Sequence, residues 1–335
     1  MKSFIFPSAL EKHNEELKNI FTNLINGIKI RYDGNGFIVG DLAMIEGTSP
    51  HKIVNSSPND VDYKVLGLAS LLLAGNELKS PITLTVGFPY STYLANRELA
   101  AEFFQGVHEI EYDTFSIGKN STRKLRVEIE SVDVIPEIVG ASFAVRHNRK
   151  IDDNCFVVNL GYGTFEGCLT NQYGIIDRTV ISAQGIRYAI EDAMKELNKK
   201  YYLGLRNETQ FDVSFQKGSL VVNRRKQDIL AQRKSSIEKY YNDIISPAIR
   251  NIWQDDDFAN TSNLFLAGGG SYYPELVELF ESEFSDFLNV EVVENPHTAV
   301  SRGYCLRSSK LTDNPENAIG LDIGNAQTVL TFFNE

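Results

Sequence analysis

Residues 320–333, GLDIGNAQTVLTFF, decide how the chain is read. Apolar residues alternate on both sides of a short turn holding Gly324, the pattern of two strands joined by a tight connection. One carboxylate, Asp322, stands at that turn. A glycine there lets backbone amides approach and point at a ligand, so such a hairpin can hold a phosphate. A second stretch, NCFVVNLGYGTFEGCLT (154–170), repeats the design, with Asn159 and Gly161 in the places of Asp322 and Gly324. Its turn, Gly161-Tyr162-Gly163-Thr164, offers amides and one hydroxyl. A lone glycine turn is more often an ordinary β-turn; two of one design in separate halves of a chain are harder to assign to chance.

A third glycine feature lies in NLFLAGGGSYYPELVELFESEF (263–284), an apolar strand running into Gly268-Gly269-Gly270 and then a helix. It matches neither the P-loop, having no Gly-Lys-Ser/Thr, nor the dinucleotide fingerprint. Taken alone it reads equally well as a ligand-binding turn or as a tight strand-to-helix connection.

The rest of the chain sets the frame. At 335 residues two lobes are expected. Apolar content of 42% with 23% charged residues is that of a soluble globular protein. A net charge of -11 argues against broad contact with a nucleic-acid backbone, so any action on DNA would pass through a basic partner. Cys155, Cys168 and Cys305 are too scattered for a disulfide framework or a metal site and read as reduced thiols. His13, His51, His108, His147 and His297 have no ligand spacing either. The opening MKSFIFPSALEKHNEE reads as neither signal peptide nor membrane span, which makes the cytoplasm the default expectation and excludes a membrane partner.

The pattern of elements is α/β. Residues 28–43 read as a hairpin around Asp33-Gly34, 61–75 as a helix stopping at Gly75, and 82–89 as a buried strand. Residues 91–106 follow as a helix capped by Ser91, and 186–201 and 232–253 as further helices. The basic run NRRKQ (223–227) reads first as a solvated face, with a subunit contact or the adenine side as alternatives.

Two phosphate-type hairpins with a glycine strand-to-helix turn resemble the actin, Hsp70 and sugar-kinase superfamily. IFPSAL, YDGNGFIVGDLA, TLTVGFPYSTY, VDVIPEIVGASFAV and NPHTAVSRGYCL resemble, more narrowly, the bacterial actin-like ParM and archaeal-actin-like group. The resemblance runs over nearly the whole chain and implies an actin-like fold of two RNase H-like lobes around a nucleotide cleft. Lobe I would be 1–149 completed by 310–335; lobe II would be 150–309, its last helix crossing back toward lobe I. In this family the first phosphate hairpin precedes a segment like IFPSAL, whereas here it follows everything else. Circular permutation is therefore expected, with chain ends no farther apart than about five extended residues at ~3.3 Å each.

The resemblance further implies ATP or ADP with Mg²⁺. Asp322 would hold the metal through water, and Gly324, Asn325 and Gln327 would meet the phosphates. Asn159, Gly161, Tyr162, Gly163 and Thr164 would form the other jaw, and Gly268, Gly269 and Gly270 would cover the adenosine. Glu137 would orient the attacking water, although on its residue type alone it is a surface charge at a helix start. Two positions depart from the family: Val329 replaces a usual lysine, and Asn159 a usual aspartate, with Glu166 or an arginine from elsewhere a candidate to compensate; Glu166 reads equally well as a solvated strand residue. The implied function is a nucleotide-dependent filament and slow ATPase whose partner is itself, with a DNA-binding adaptor for plasmid or other DNA segregation. A non-polymerising ATP-dependent switch or small-molecule kinase, and a scaffold that binds nucleotide without turnover, are the alternatives.

Overall fold

The computed structural model describes residues 1–52, 57–119, 121–201 and 208–333. The chain divides into two units, residues 1–144 with 298–335, and residues 145–297.

The first unit is built on a mixed sheet. Its neighbour order is Lys2–Pro7, Gln327–Phe332, Ala318–Ile323, Ile82–Phe88, Thr122–Pro136, then Gly106–Asp113 and four shorter strands. Gln327–Phe332 runs antiparallel to both of its neighbours, and Ala318–Ile323, Ile82–Phe88 and Thr122–Pro136 run parallel. Lys2 pairs with Phe332 and Pro7 with Gln327. Glu335, one of the two chain ends in the permutation expectation, lies outside the described residues.

Ile82–Phe88 is buried along its whole length, as a parallel strand covered on both faces must be. Alternate residues serve the two faces. Ile82, Leu84 and Val86 join the core formed with the helices Val61–Glu77 and Tyr90–Phe104. Thr85 and Gly87 meet the helix Ala299–Ser308 instead: the Ser308 hydroxyl lies 2.7 Å from Thr85 Oγ1, and Tyr304 fills the space a Cβ at Gly87 would need. That helix also crosses Gly140 and Gly320 closely: a Cβ at 320 would collide with Ser301 and Cys305 backbone, and one at 140 with the Tyr304 ring. It packs within the first unit; the sequence expectation gave it to lobe II, crossing back toward lobe I.

Two local expectations are corrected. Gly75 does not stop its helix, which continues to Glu77. A Cβ at 75 would come within 2.6 Å of Val127 Cγ2, so this glycine serves packing rather than termination. Ser91 lies inside its helix, not at the cap; Pro89 is the cap residue, and its carbonyl accepts from the amides of Thr92 and Tyr93 at 2.9 Å.

The second unit repeats the five-strand arrangement in the order Ile181–Gln184, Thr164–Asn171, Cys155–Leu160, Asn263–Ala267, Asn289–Val292. The first three are antiparallel and the last two parallel to Cys155–Leu160. Here the central strand comes first in the chain. In the first unit the same places are filled by strands from opposite ends of the sequence. The expected helix over 232–253 is continuous from Leu230 to Ile252, with a wide π-helical stretch Tyr241–Ile245 between Leu230–Tyr240 and Ser246–Ile252. Pro247 lacks the N–H that an α-helix would aim at residue 243, which accounts for the wide turn. Trp253 stacks on Phe156 at 4.1 Å and donates its indole N–H to the Thr179 carbonyl at 2.8 Å. All three cysteines are buried thiols outside any disulfide.

Candidate functional site

In the first unit, the parallel strands Ala318–Ile323, Ile82–Phe88 and Thr122–Pro136 bring their carboxyl ends to one edge, the usual place for ligands in such sheets. Leu321, Val86 and Val134 share a row; Asp322 stands one residue beyond it and Glu137 three. Two strand spacings separate them across the sheet, roughly 10 Å, room for a hydrated ion and a phosphate. Glu137 opens the helix Glu137–Arg149 directly after the strand ends at Pro136.

The hairpin itself is tight. The Gly324 amide donates to the Gln327 carbonyl at 3.1 Å, and a Cβ at 324 would crowd that oxygen at 3.0 Å. Ser8 fastens the turn through its amide to the Ala326 carbonyl at 3.0 Å and through its hydroxyl to Thr328 at 2.9 Å.

Asp322 is electrostatically uncompensated. Its residue is half-buried, but burial pushes its carboxyl pKa up to about 7. Among the described residues no cation or hydrogen-bond donor opposes that rise. The facing position across the hairpin is Val329, which is apolar and buried. Nearby, the buried Tyr63 hydroxyl has no hydrogen-bond partner among the described residues, and burial followed by the Asp322 charge drives its pKa upward. A desolvated carboxyl without a protein cation suits a hydrated Mg²⁺, which binds through one or two carboxylates with water and phosphate oxygens. A closed protein cage is absent: no three His, Cys, Asp or Glu side chains cluster among the described residues.

In the second unit, the turn between Cys155–Leu160 and Thr164–Asn171 is held by the start of the helix Arg187–Asn198. The amides of Ile186, Arg187 and Gly185 donate to the carbonyls of Gly161, Tyr162 and Gly163 at 3.0–3.1 Å. In a trans peptide the N–H points opposite the C=O, so the N–H groups of Tyr162, Gly163 and Thr164 face away from the helix. Successive amides turned to one side are groups of the kind that can hold an anion. Gly185 makes this possible, since a Cβ there would lie 2.5–2.6 Å from Tyr162 O, Gly161 O and Thr164 N. Sequence reasoning missed Gly185; its signal was the glycine placed just before the helical run that starts at Ile186.

Asn159 is buried at the carboxyl end of its strand, with Glu166 opposite it on one side and Ala267 on the other. Glu166 is fully buried rather than a solvated strand residue. The triple-glycine turn follows Ala267, and its three members differ. Gly268 has φ +83 and would collide with Leu160 backbone if it carried a Cβ, while Gly270 lies 2.8 Å from Leu160 Cβ by the same measure. Around Gly269 there is open space within 4 Å. Chain packing explains the outer two glycines; Gly269 is the one exposed to an incoming ligand. Asp322, Gly324 and Glu137 thus share one sheet edge, and Asn159, Glu166, the 161–164 turn and Gly268–Gly270 share another.

Residues 1–140 match the family model described as the actin-like proteins N-terminal domain. No curated protein sequence matches the chain. Among solved structures, the archaeal actin homolog Ta0583 superposes with a TM-score of 0.73 at 18% identity, covering 92% of each chain. A 15-stranded ParM filament from Clostridium botulinum gives 0.73 at 17%, over 91% of this chain and 92% of that one. The complex of Ta0583 with ADP gives 0.69 at 17%, over 92% of each. The chain thus has the actin-like fold, and its first 140 residues are similar to the actin-like protein N-terminal domain.

Proposed function

We propose that this is an ATP-binding, actin-like cytoskeletal protein that polymerises when charged with Mg-ATP and hydrolyses it slowly. The observation that carries the reading is Asp322: a carboxyl pushed up to about 7 beside a glycine turn, with Val329 where a cation would face it. Such a group favours an incoming divalent cation over its own proton near neutral pH. Mg²⁺, when bound, neutralises phosphate charge and orients the phosphates.

This chain's residues do the rest. The amides around Gly324–Gln327 and those of Tyr162, Gly163 and Thr164 donate to phosphate oxygens, and Gly269 lets adenosine approach its backbone. Glu137 accepts a hydrogen bond from the attacking water and aligns it, the role that a carboxylate at this sheet edge can fill. Glu166, buried opposite Asn159, restores the negative charge that Asn159 lacks. Neighbours solved as filaments, the ParM of Clostridium botulinum and Alp12, support self-association as the output. Movement of plasmid or other DNA through a basic adaptor follows by analogy with the ParM group.

The strand order also supports a circularly permuted chain. The second unit fills its five sheet positions starting from the central strand; the first unit has that strand, Ala318–Ile323, after the other parallel strands, and closes the set by pairing Gln327–Phe332 with Lys2–Pro7.

Glu137→Ala separates hydrolysis from assembly. With Mg-ATP, light scattering should rise as in wild type, while phosphate release falls by roughly 100-fold or more and the scattering fails to decay. Unchanged phosphate release would remove Glu137 from the chemistry.

A further inference from the structure

The basic run that the nucleotide site does not use forms a separate hairpin, Ser219–Val222 with Arg225–Asp228. Asn223 and Arg224, at φ +50 and +64, make the tight two-residue turn that sets the strands in register. Leu220 and Val222 point inward and are buried, which fixes the hairpin to its unit. Its outer side is Val221, 67% exposed, with Lys226 directly across the ladder and the exposed Arg224 and Arg225 at the tip. Among the described residues none of these three cations has an ion-pair partner.

The same unit carries the opposite surface elsewhere. Between Arg250 and Arg302 the sequence has no lysine or arginine; Arg178, from outside this stretch, interacts with Asp256 and pairs with the buried Asp257, its Nη2 donating at 2.5 Å. The exposed acids Asp255 and Asp256 open the short helix Asp255–Ala259, whose Phe258 packs on Phe284 and Phe287 at 6.1 and 5.4 Å. Phe287 is itself 53% exposed and follows the exposed Asp286. An exposed phenyl ring is thus flanked by acids, as Val221 is flanked by cations. An apolar centre with a charged rim is the usual build of a protein contact.

We propose that the 219–228 hairpin of one copy docks on the Asp255–Asp256–Phe287 patch of a second copy. The two surfaces are different parts of one molecule, so the contact is head-to-tail, and with a rotation between copies that does not close a ring it propagates as a filament. This rests on the filament reading above and adds the contact that propagates it. The alternative partner of a basic hairpin, nucleic acid, fits the chain less well because of its net charge of -11.

The test uses two charge-reversed full-length chains, Arg224→Glu/Arg225→Glu/Lys226→Glu and Asp255→Lys/Asp256→Lys, both checked for wild-type melting and nucleotide binding. Each alone should raise the critical concentration for pelleting in Mg-ATP by about tenfold or more. An equimolar mixture should recover to within about threefold of wild type, because every hairpin then meets a patch of opposite charge. Wild-type critical concentration should also rise as NaCl goes from about 50 to about 300 mM. If either variant pellets like wild type, if mixing restores nothing, or if wild-type assembly is indifferent to salt, the pairing is wrong while the filament stands. If the hairpin variant loses only retention on duplex DNA, the hairpin serves nucleic acid and the proposal falls. If wild type never pellets, the filament reading fails and takes this contact with it.

Discussion

Replacing Asp322 by asparagine should make the nucleotide-free protein more stable, and only above acidic pH. The carboxyl's ordinary pKa of 3.8 is raised by burial to about 7 in the folded chain. Folding therefore takes up a proton at this site between those values, and stability falls as pH rises through the window. Below pH ~4 the group is protonated in both states and costs nothing; above ~7 the penalty is complete and flat. At about 1.36 kcal/mol per tenfold change in acid dissociation, the full gap corresponds to about 4 kcal/mol, and residual solvent at the half-buried site brings it to about 2–4. Asparagine keeps the shape and removes the charge, so the variant should melt higher than wild type by about 5 °C or more at pH 8 and by only about a quarter of that gap at pH 4.5, where most of the penalty has not yet developed. Mg-ATP should reverse the ranking, since binding stabilises only the chain that can hold the metal. The assay is thermal unfolding from pH 4.5 to 8.5, with and without Mg-ATP. A wild-type-to-variant gap that does not change with pH would refute the argument, as would equal Mg-ATP stabilisation of both proteins.

Three further outcomes follow from the same geometry. Gly268→Ala should cost about 1–3 kcal/mol in denaturant unfolding, because of its positive φ and the Leu160 backbone, whereas Gly269→Ala should stay within about 0.5 kcal/mol yet weaken ATP binding by about tenfold; equal effects in calorimetry and titration would undo the distinction. Glu166→Gln should reduce Mg-ATP affinity about tenfold and Asn159→Asp/Glu166→Gln should recover most of it, while a pair of variants that lose affinity additively would mean Glu166 carries no shared charge. A chain rearranged to begin at Asn314, with residue 333 joined through a short linker to residue 2, should melt and bind nucleotide like the natural order; failure to fold would count against the permuted reading.

The hairpins at both sheet edges were legible because period-2 alternation and glycine turns are local signals. Sheet order was less so: pairing Lys2–Pro7 with Gln327–Phe332 joins residues from opposite ends of the sequence, and only the family resemblance suggested it. Gly75 was read as a helix stop, yet it, like Gly140 and Gly303, is glycine because another element passes too close for a side chain. Sequence could not tell Gly269 from its neighbours either, since the difference lies in what Leu160 occupies. Glu166 stayed open between a solvated residue and a compensating one because alternation alone does not say that both sides of its strand are covered; Thr164–Asn171 is flanked by Cys155–Leu160 and by Ile181–Gln184. Burial, finally, turned Asp322 from an ordinary acid into one that needs a cation, which composition and spacing do not encode.

High-speed pelleting of the purified protein in Mg-ATP, in Mg-ADP and without nucleotide, with phosphate release followed in the same tubes, tests the central claim most directly. The account predicts a pellet in Mg-ATP that shrinks as phosphate accumulates, and little pellet in the other two. Protein that stays in the supernatant under all three conditions would leave the actin-like fold intact and contradict the nucleotide-driven filament.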